Sequence, residues 1–286
     1  MVMNFLKRFY VYILFVFLYA PIVVLMVLSF NNSRLRGSWD GFTLRWYIEL
    51  FQDRQILTSL YYTIAVAVLS SAIATIIGTA AAIGIHNLHG FKKNLIMNVT
   101  YIPVLNPDIV TGVALMILFI FLRLRLGFLT MLLAHITFNI PYVILSVLPK
   151  LKQLNNNLYE AALDLGATPW YALQKVIIPQ IMPGILTGFL FAFTLSIDDF
   201  VISFFTTGSG VSNLSITVFS MARRGVNPKI NALSTLMFLT VLILLIIVNL
   251  RMSKDKNGKG GGNGKNKEIS LGARDSSGGG GGLLRI

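Results

Sequence analysis

Six stretches of this chain are apolar for roughly 20 residues or more and almost free of charge, the length a helix needs to cross a bilayer. They are Phe9–Phe30, Thr58–Ile85, Leu95–Leu122, Phe128–Leu148, Pro183–Phe205 and Ile230–Leu250. The predicted fold class is therefore all-α and polytopic, with six transmembrane helices. Composition agrees: 55% of residues are hydrophobic and 12% charged, against about 25% charged in a soluble domain. A soluble enzyme or nucleic-acid binder is excluded. The first span follows Lys7 and Arg8 but is too long for a signal-peptide core and lacks a small-residue cleavage site, so it reads as a retained helix.

The net charge of +13 needs dividing before use. Residues 251–286 hold 8 of the 24 Lys+Arg and 3 of the 11 Asp+Glu, leaving +8 for the rest. That glycine-rich stretch cannot bury a core and is expected to be disordered, an extension or tag remnant at 253–286 beside a transmembrane domain at 1–252. Six spans put both termini on one side. Lysine and arginine then divide ten against nine between the two sides, so the positive-inside rule leaves the orientation open.

Several spans carry internal signals. Ser70, Ala74, Gly78 and Ala82 recur every fourth residue, a face for close helix packing in lipid. The third span is interrupted by Pro103 and Pro107, with Asp108 near its middle. A carboxylate there is costly unless it meets water or a partner. It either accepts hydrogen bonds from backbone freed at the break or lines a pathway. His135 and Asn139 share a helix face, where an interhelical hydrogen bond is expected; two residues make no metal site. With no cysteine, thiolate and disulfide chemistry are absent, and no cofactor is expected. Trp39, Trp46 and Tyr47 in the first loop read as interfacial belt residues.

Asp198 and Asp199 are the sharpest site candidates. Side by side in a span they repel and are expensive. A cargo with two or more ammonium groups would offset that cost, and Phe200, Phe204 and Phe205 lie near enough in sequence for cation–π contact. The alternative is that one of the two pairs with Arg223 or Arg224, or caps a helix beside the Gly208–Gly210 loop.

The segment 149–182 is too patterned for a connector. Asn157 and Glu160 fit a capping box, Gly166 suits a left-handed helix end, Thr168 an N-cap and Pro169 a first helical turn. Two short helices are predicted, Leu158–Leu165 and a second that stops before Pro179. They form an elbow that either lies on lipid or docks a cytosolic partner.

Here a resemblance becomes specific. Glu160-Ala161-Ala162, three residues, Gly166, nine residues and then Val176-Ile177-Ile178-Pro179 resemble the EAA loop of ABC importer permeases, E-A-A-x3-G-x9-I-x-L-P. Pro21-Ile22 to Phe30-Asn31, Phe42-Thr43 to Trp46-Tyr47, Pro107-Asp108-Ile109-Val110, His135-Ile136-Thr137-Phe138 and Phe193 to Asp199 and Gly208 are similar to the permeases of spermidine/putrescine importers (PotC-type). The resemblance covers roughly residues 5–252. It implies a type I (MetI-like) ABC importer permease in a bacterial inner membrane, with both termini cytoplasmic. Glu160, Ala161, Ala162, Gly166 and Pro179 would couple to ATP hydrolysis on a separate chain, and Asp108, Asp198, Asp199 and Phe204 would line the substrate path. The implied partners are an ATP-binding subunit dimer, a homologous second permease, an extracytoplasmic polyamine-binding protein, the polyamine and the lipid. The only Gly/Lys-rich stretch, 258–267, does not match a P-loop. Two alternatives stand beside this reading: an ABC permease for another small organic solute, and a stand-alone secondary transporter or channel.

Overall fold

The computed structural model describes residues 2–33, 38–155, 157–224, 228–240, 242, 243 and 246, with side chains described from residue 9 onward. The 253–286 tail and most of 241–250, in the sixth expected span, lie outside the described residues. No extended sheet occurs among the described residues; the one bridge pairs Asn31 with Phe42.

The chain divides into two compact units, one of Met1–Tyr47 with Asn231 onward and one of Ile48–Ile230. In the first, α1 (Val2–Leu28) is an apolar helix in which no side chain of Phe9–Leu28 is buried. It ends where the Ser29 hydroxyl turns back to the Met26 carbonyl and meets the Tyr47 hydroxyl at 2.7 Å. Asn31 then pins the loop: its Oδ1 accepts from the Ser33 and Asp40 amides, and its carbonyl accepts from Trp46 Nε1 at 2.7 Å. This corrects the belt reading for Trp46, which is buried because its indole N–H has a partner inside the protein; Trp39 is exposed. Residues 228–240 are helical and form α12.

The second unit starts within α2 (Arg45–Gln52), and Asp53 caps α3 (Arg54–Asn87), accepting from the Gln55 and Ile56 amides. Helices α3, α6 (Phe128–Lys152) and α9 (Ile178–Asp198) make its centre. The small-residue face behaves as expected. Ser70, Ala74, Gly78 and Ala82 are all buried, and a Cβ on Gly78 would sit 2.7 Å from Val143 Cβ. On α9, Gly184 and Gly188 serve the same end, against Ser146 and Val143 of α6. Gly78→Leu is therefore expected to lower the detergent-solubilised melting temperature by several degrees, or prevent assembly, as overpacking costs typically 1–3 kcal/mol. Gly84→Leu, where a Cβ meets nothing within 4 Å, is the control; equal melting temperatures for the two would refute the packing argument.

Two of the expected spans are broken. The third divides into α4 (Gly90–Leu105) and α5 (Asp108–Phe121), bent by 107° at Asn106-Pro107. Pro107 lacks the N–H that would continue the helix, and the residue before a proline avoids helical angles. The fifth ends at Asp198 and restarts as α10 (Val201–Thr206), followed by α11 (Leu214–Arg224). With the halves of the third span counted together, up to five described helical segments are long and apolar enough to cross a membrane.

Candidate functional site

The acids expected to line a pathway sit at these breaks. Asp108 opens α5, where its charge meets the positive end of the helix dipole. Its side chain is exposed, and its carboxylate accepts no hydrogen bond from the described residues, against the reading in which it satisfies freed backbone. Asp198 closes α9 and is exposed. Helix α5, which Asp108 opens, approaches α10, which follows Asp198, closely: at Gly112 a Cβ would stand 3.4 Å from Ile202 Cα. Leu115, Phe119, Ala134, Phe138 and Ile202 form the core behind it.

Asp199 is different. Its side chain is only 8% exposed, and both oxygens are occupied. Oδ1 accepts from the Ile202 amide at 3.2 Å and Oδ2 from the Ser203 amide at 2.8 Å, so the carboxylate caps α10. His135 Nε2 lies 3.5 Å from Oδ2 and 2.9 Å from Ser203 Oγ. Asn213 Nδ2 donates to the Asp199 carbonyl and to Ser203 Oγ. Of the two adjacent acids, the structure thus leaves one free and engages the other. Neither pairs with an arginine among the described residues; the Arg223 guanidinium lies over the Phe219 ring instead. Phe204 is half exposed and packs against Phe200, which stacks on Phe219 with centroids 4.5 Å apart.

One turn deeper, Asn139 Nδ2 donates to Ser196 Oγ at 2.8 Å, and Ser196 meets Ser70. His135 and Asn139 therefore both make the interhelical hydrogen bonds expected of them. Ser203 and Asn213 escaped notice, since a serine in an apolar run and an asparagine in a Gly/Ser loop carry no spacing signal.

At the other end of α9 lies the elbow. Helix α7 (Asn157–Asp164) carries Glu160, Ala161 and Ala162, with Glu160 and Ala161 exposed. Asn157, expected to cap this helix, is its first residue, and the preceding position lies outside the described residues. The end matches expectation: Gly166 takes φ +84°, its N–H donates to Leu163 and the Ala167 N–H donates to Ala162. This is the Schellman arrangement, which satisfies carbonyls a helix leaves orphaned. Thr168 then caps α8 (Pro169–Ala172), accepting from the Tyr171 amide.

The second elbow helix does not stop before Pro179. A π-helical turn, Leu173–Ile177, joins α8 to α9, and Pro179 sits in the first turn of α9. The wider turn, in which the Ile178 N–H reaches back to Leu173, takes up the register that the proline would otherwise break. Leu165, Trp170 and Tyr171 are exposed, Leu165 at 89%. A cavity of ≈ 680 Å³, missed from the sequence, opens beside the elbow, lined by His86, Leu151, Tyr159, Glu160, Trp170 and Ile177 among others.

Comparison with known proteins places this architecture. Residues 74–253 match the family described as binding-protein-dependent transport system inner membrane component. The chain is 37% identical over 230 residues to the spermidine/putrescine transport system permease protein PotC of Escherichia coli K12, covering 80% of this chain and 87% of that protein. It is 40% identical over 230 residues to the putrescine transport system permease protein PotI of the same strain, covering 78% and 82%. Among solved structures, a bacterial ABC transporter involved in the import of alginate superposes with a TM-score of 0.70 at 15% identity, over 88% of this chain and 95% of that one. The last likeness concerns the fold alone.

Proposed function

The chain belongs to the family of binding-protein-dependent transport system inner membrane components, and from that premise we propose that it is the membrane-spanning permease subunit of an ATP-driven polyamine importer. It is a multi-pass inner-membrane protein and a transport subunit. ATP hydrolysis belongs to a partner chain, which the exposed elbow docks; this puts residues 149–182 and both termini in the cytoplasm. A second permease completes the pathway, and an extracytoplasmic binding protein delivers the cargo.

One observation carries the choice of cargo. Asp108 and Asp198 are both exposed, both at helix breaks, and on segments that meet where α5 packs against α10. Two unpaired carboxylates at membrane depth are stabilised by a cargo with spaced ammonium groups and repel an anion. Phe204 and Phe200 supply aromatic faces beside them. The proposed cycle is alternating access: closure of the ATPase dimer moves the elbow, α9 moves with it, and the path around Asp198 opens outward to receive cargo.

The test is ATP hydrolysis by the assembled importer in proteoliposomes with its binding protein. Spermidine or putrescine is expected to stimulate the rate severalfold, and an anionic control not at all. Stimulation by the anion alone, or transport by this chain without an ATPase, would overturn the proposal.

A further inference from the structure

We infer that His135 is a positioning residue, which holds the α9–α10 break open through Asp199 and thereby fixes where Asp198 is presented. The run from Ile178 to Thr206 has no glycine or proline near residue 199, so no helix-breaking residue stops the helix there. The break is held by the Asp199 carboxylate together with side chains from elsewhere. Asp199 leaves the helix with ψ 124° and caps α10 with both oxygens. Its carbonyl, which a break would strand, accepts from Asn213 Nδ2 at 2.9 Å. Stranded backbone at membrane depth is costly, so this bond is part of what permits the break.

His135 reaches the same group from α6 and is itself 1% exposed. Its Nδ1 is buried and has no hydrogen-bond partner among the described residues. A bare lone pair there costs less than an unpaired N–H, which assigns the proton to Nε2 in the neutral ring. Nε2–H then donates to Ser203 Oγ and toward Asp199 Oδ2. Ser203 also receives Asn213 Nδ2. His135, Asp199, Ser203 and Asn213 thus form one buried latch across α6, α9, α10 and the loop before α11. Asp199 is consumed by the latch, and Asp198 is left to face outward.

The chain contains no cysteine, so a single introduced thiol is unique in this subunit. Asp198→Cys is labelled with a cationic thiol reagent in the assembled importer and read by the mass of this chain, with Arg125→Cys in an exposed loop as reference. Adding His135→Ala is expected to change the labelling rate at 198 at least fivefold and leave that at 125 unchanged. His135→Gln, which keeps an N–H donor, is expected to restore it. If His135→Ala does not assemble, Ser203→Ala removes one hydroxyl from the same latch and carries the same expectation. Unchanged labelling in whichever variant assembles overturns the inference, as does a His135→Gln importer that behaves like His135→Ala. The inference rests on the proposed cargo path only in its uptake arm. There, with Asp198 intact, His135→Ala is expected to raise the half-saturating spermidine concentration tenfold with little change in the maximal rate. Labelling needs no cargo, so a wrong cargo assignment and a wrong latch give different results.

Discussion

Asp198→Asn is expected to raise the half-saturating spermidine concentration for uptake by 10- to 100-fold, with partner assembly unchanged. The exposed carboxylate at the end of α9 accepts no hydrogen bond from another residue among those described, so neutralising it removes an interaction with cargo and leaves no protein partner stranded. A hydrogen bond to a charged group contributes about 1.5–3 kcal/mol, and each 1.4 kcal/mol is tenfold in affinity. On the proposed reading Asp108→Asn acts on the same cargo from α5, and it is expected to add to the effect by less than its own single-variant factor, because sites that share one ligand are not independent. Asp199→Asn answers a different question. It weakens the cap on α10 and is expected to cost stability, seen as a lower melting temperature and yield. An Asp198→Asn importer with unaltered uptake at limiting spermidine would remove Asp198 from the path.

Gly166→Val is expected to reduce polyamine-stimulated ATP hydrolysis more than tenfold. The reason is conformational and unusually clean. A Cβ on Gly166 would meet nothing within 4 Å, yet the residue sits at φ +84°, where a β-branched side chain is strained by about 1–3 kcal/mol. The strain is relieved by unwinding the Schellman end of α7, which releases Glu160 and Ala161 from their fixed angle to α8. The substitution series tests the mechanism. Asparagine tolerates this conformation and should be mild, alanine intermediate and valine severe. Equal losses for all three would point to a side-chain contact instead of the backbone. Membrane abundance of the chain, measured alongside, separates failed coupling from failed insertion.

Most of the architecture was legible, and the residues explain why. Apolar length alone reveals spans such as Phe128–Lys152, because lipid imposes one requirement on every crossing helix. The four-residue repeat of small side chains on α3 revealed its packing face, and Gly166 with Thr168 revealed the elbow, since each is a local backbone requirement. The break at Pro107 was legible for the same reason. The break at Asp199 was only half legible: capping by one of the two acids was an open alternative, but the groups that hold that carboxylate and its carbonyl come from His135 on α6 and Asn213 beyond α10, far away in sequence. Pro179 misled in the opposite direction: read as a stop, it is absorbed by a π turn that no propensity announces. The acids themselves were found by their cost in lipid, but their division into one free and one engaged carboxylate is a tertiary fact.

The run Pro169–Asp198 is a single helical segment of 30 residues with one π turn in it, about 45 Å at 1.5 Å per residue. It begins at the elbow and ends on Asp198. If the proposed roles hold, the connecting rod and the gripper of this machine are forged as one piece. In the proposed cycle, thrust delivered at Pro169 reaches the carboxylate along this one segment, and its slack is set where the regular hydrogen bonding is interrupted, at the π turn and at Pro183.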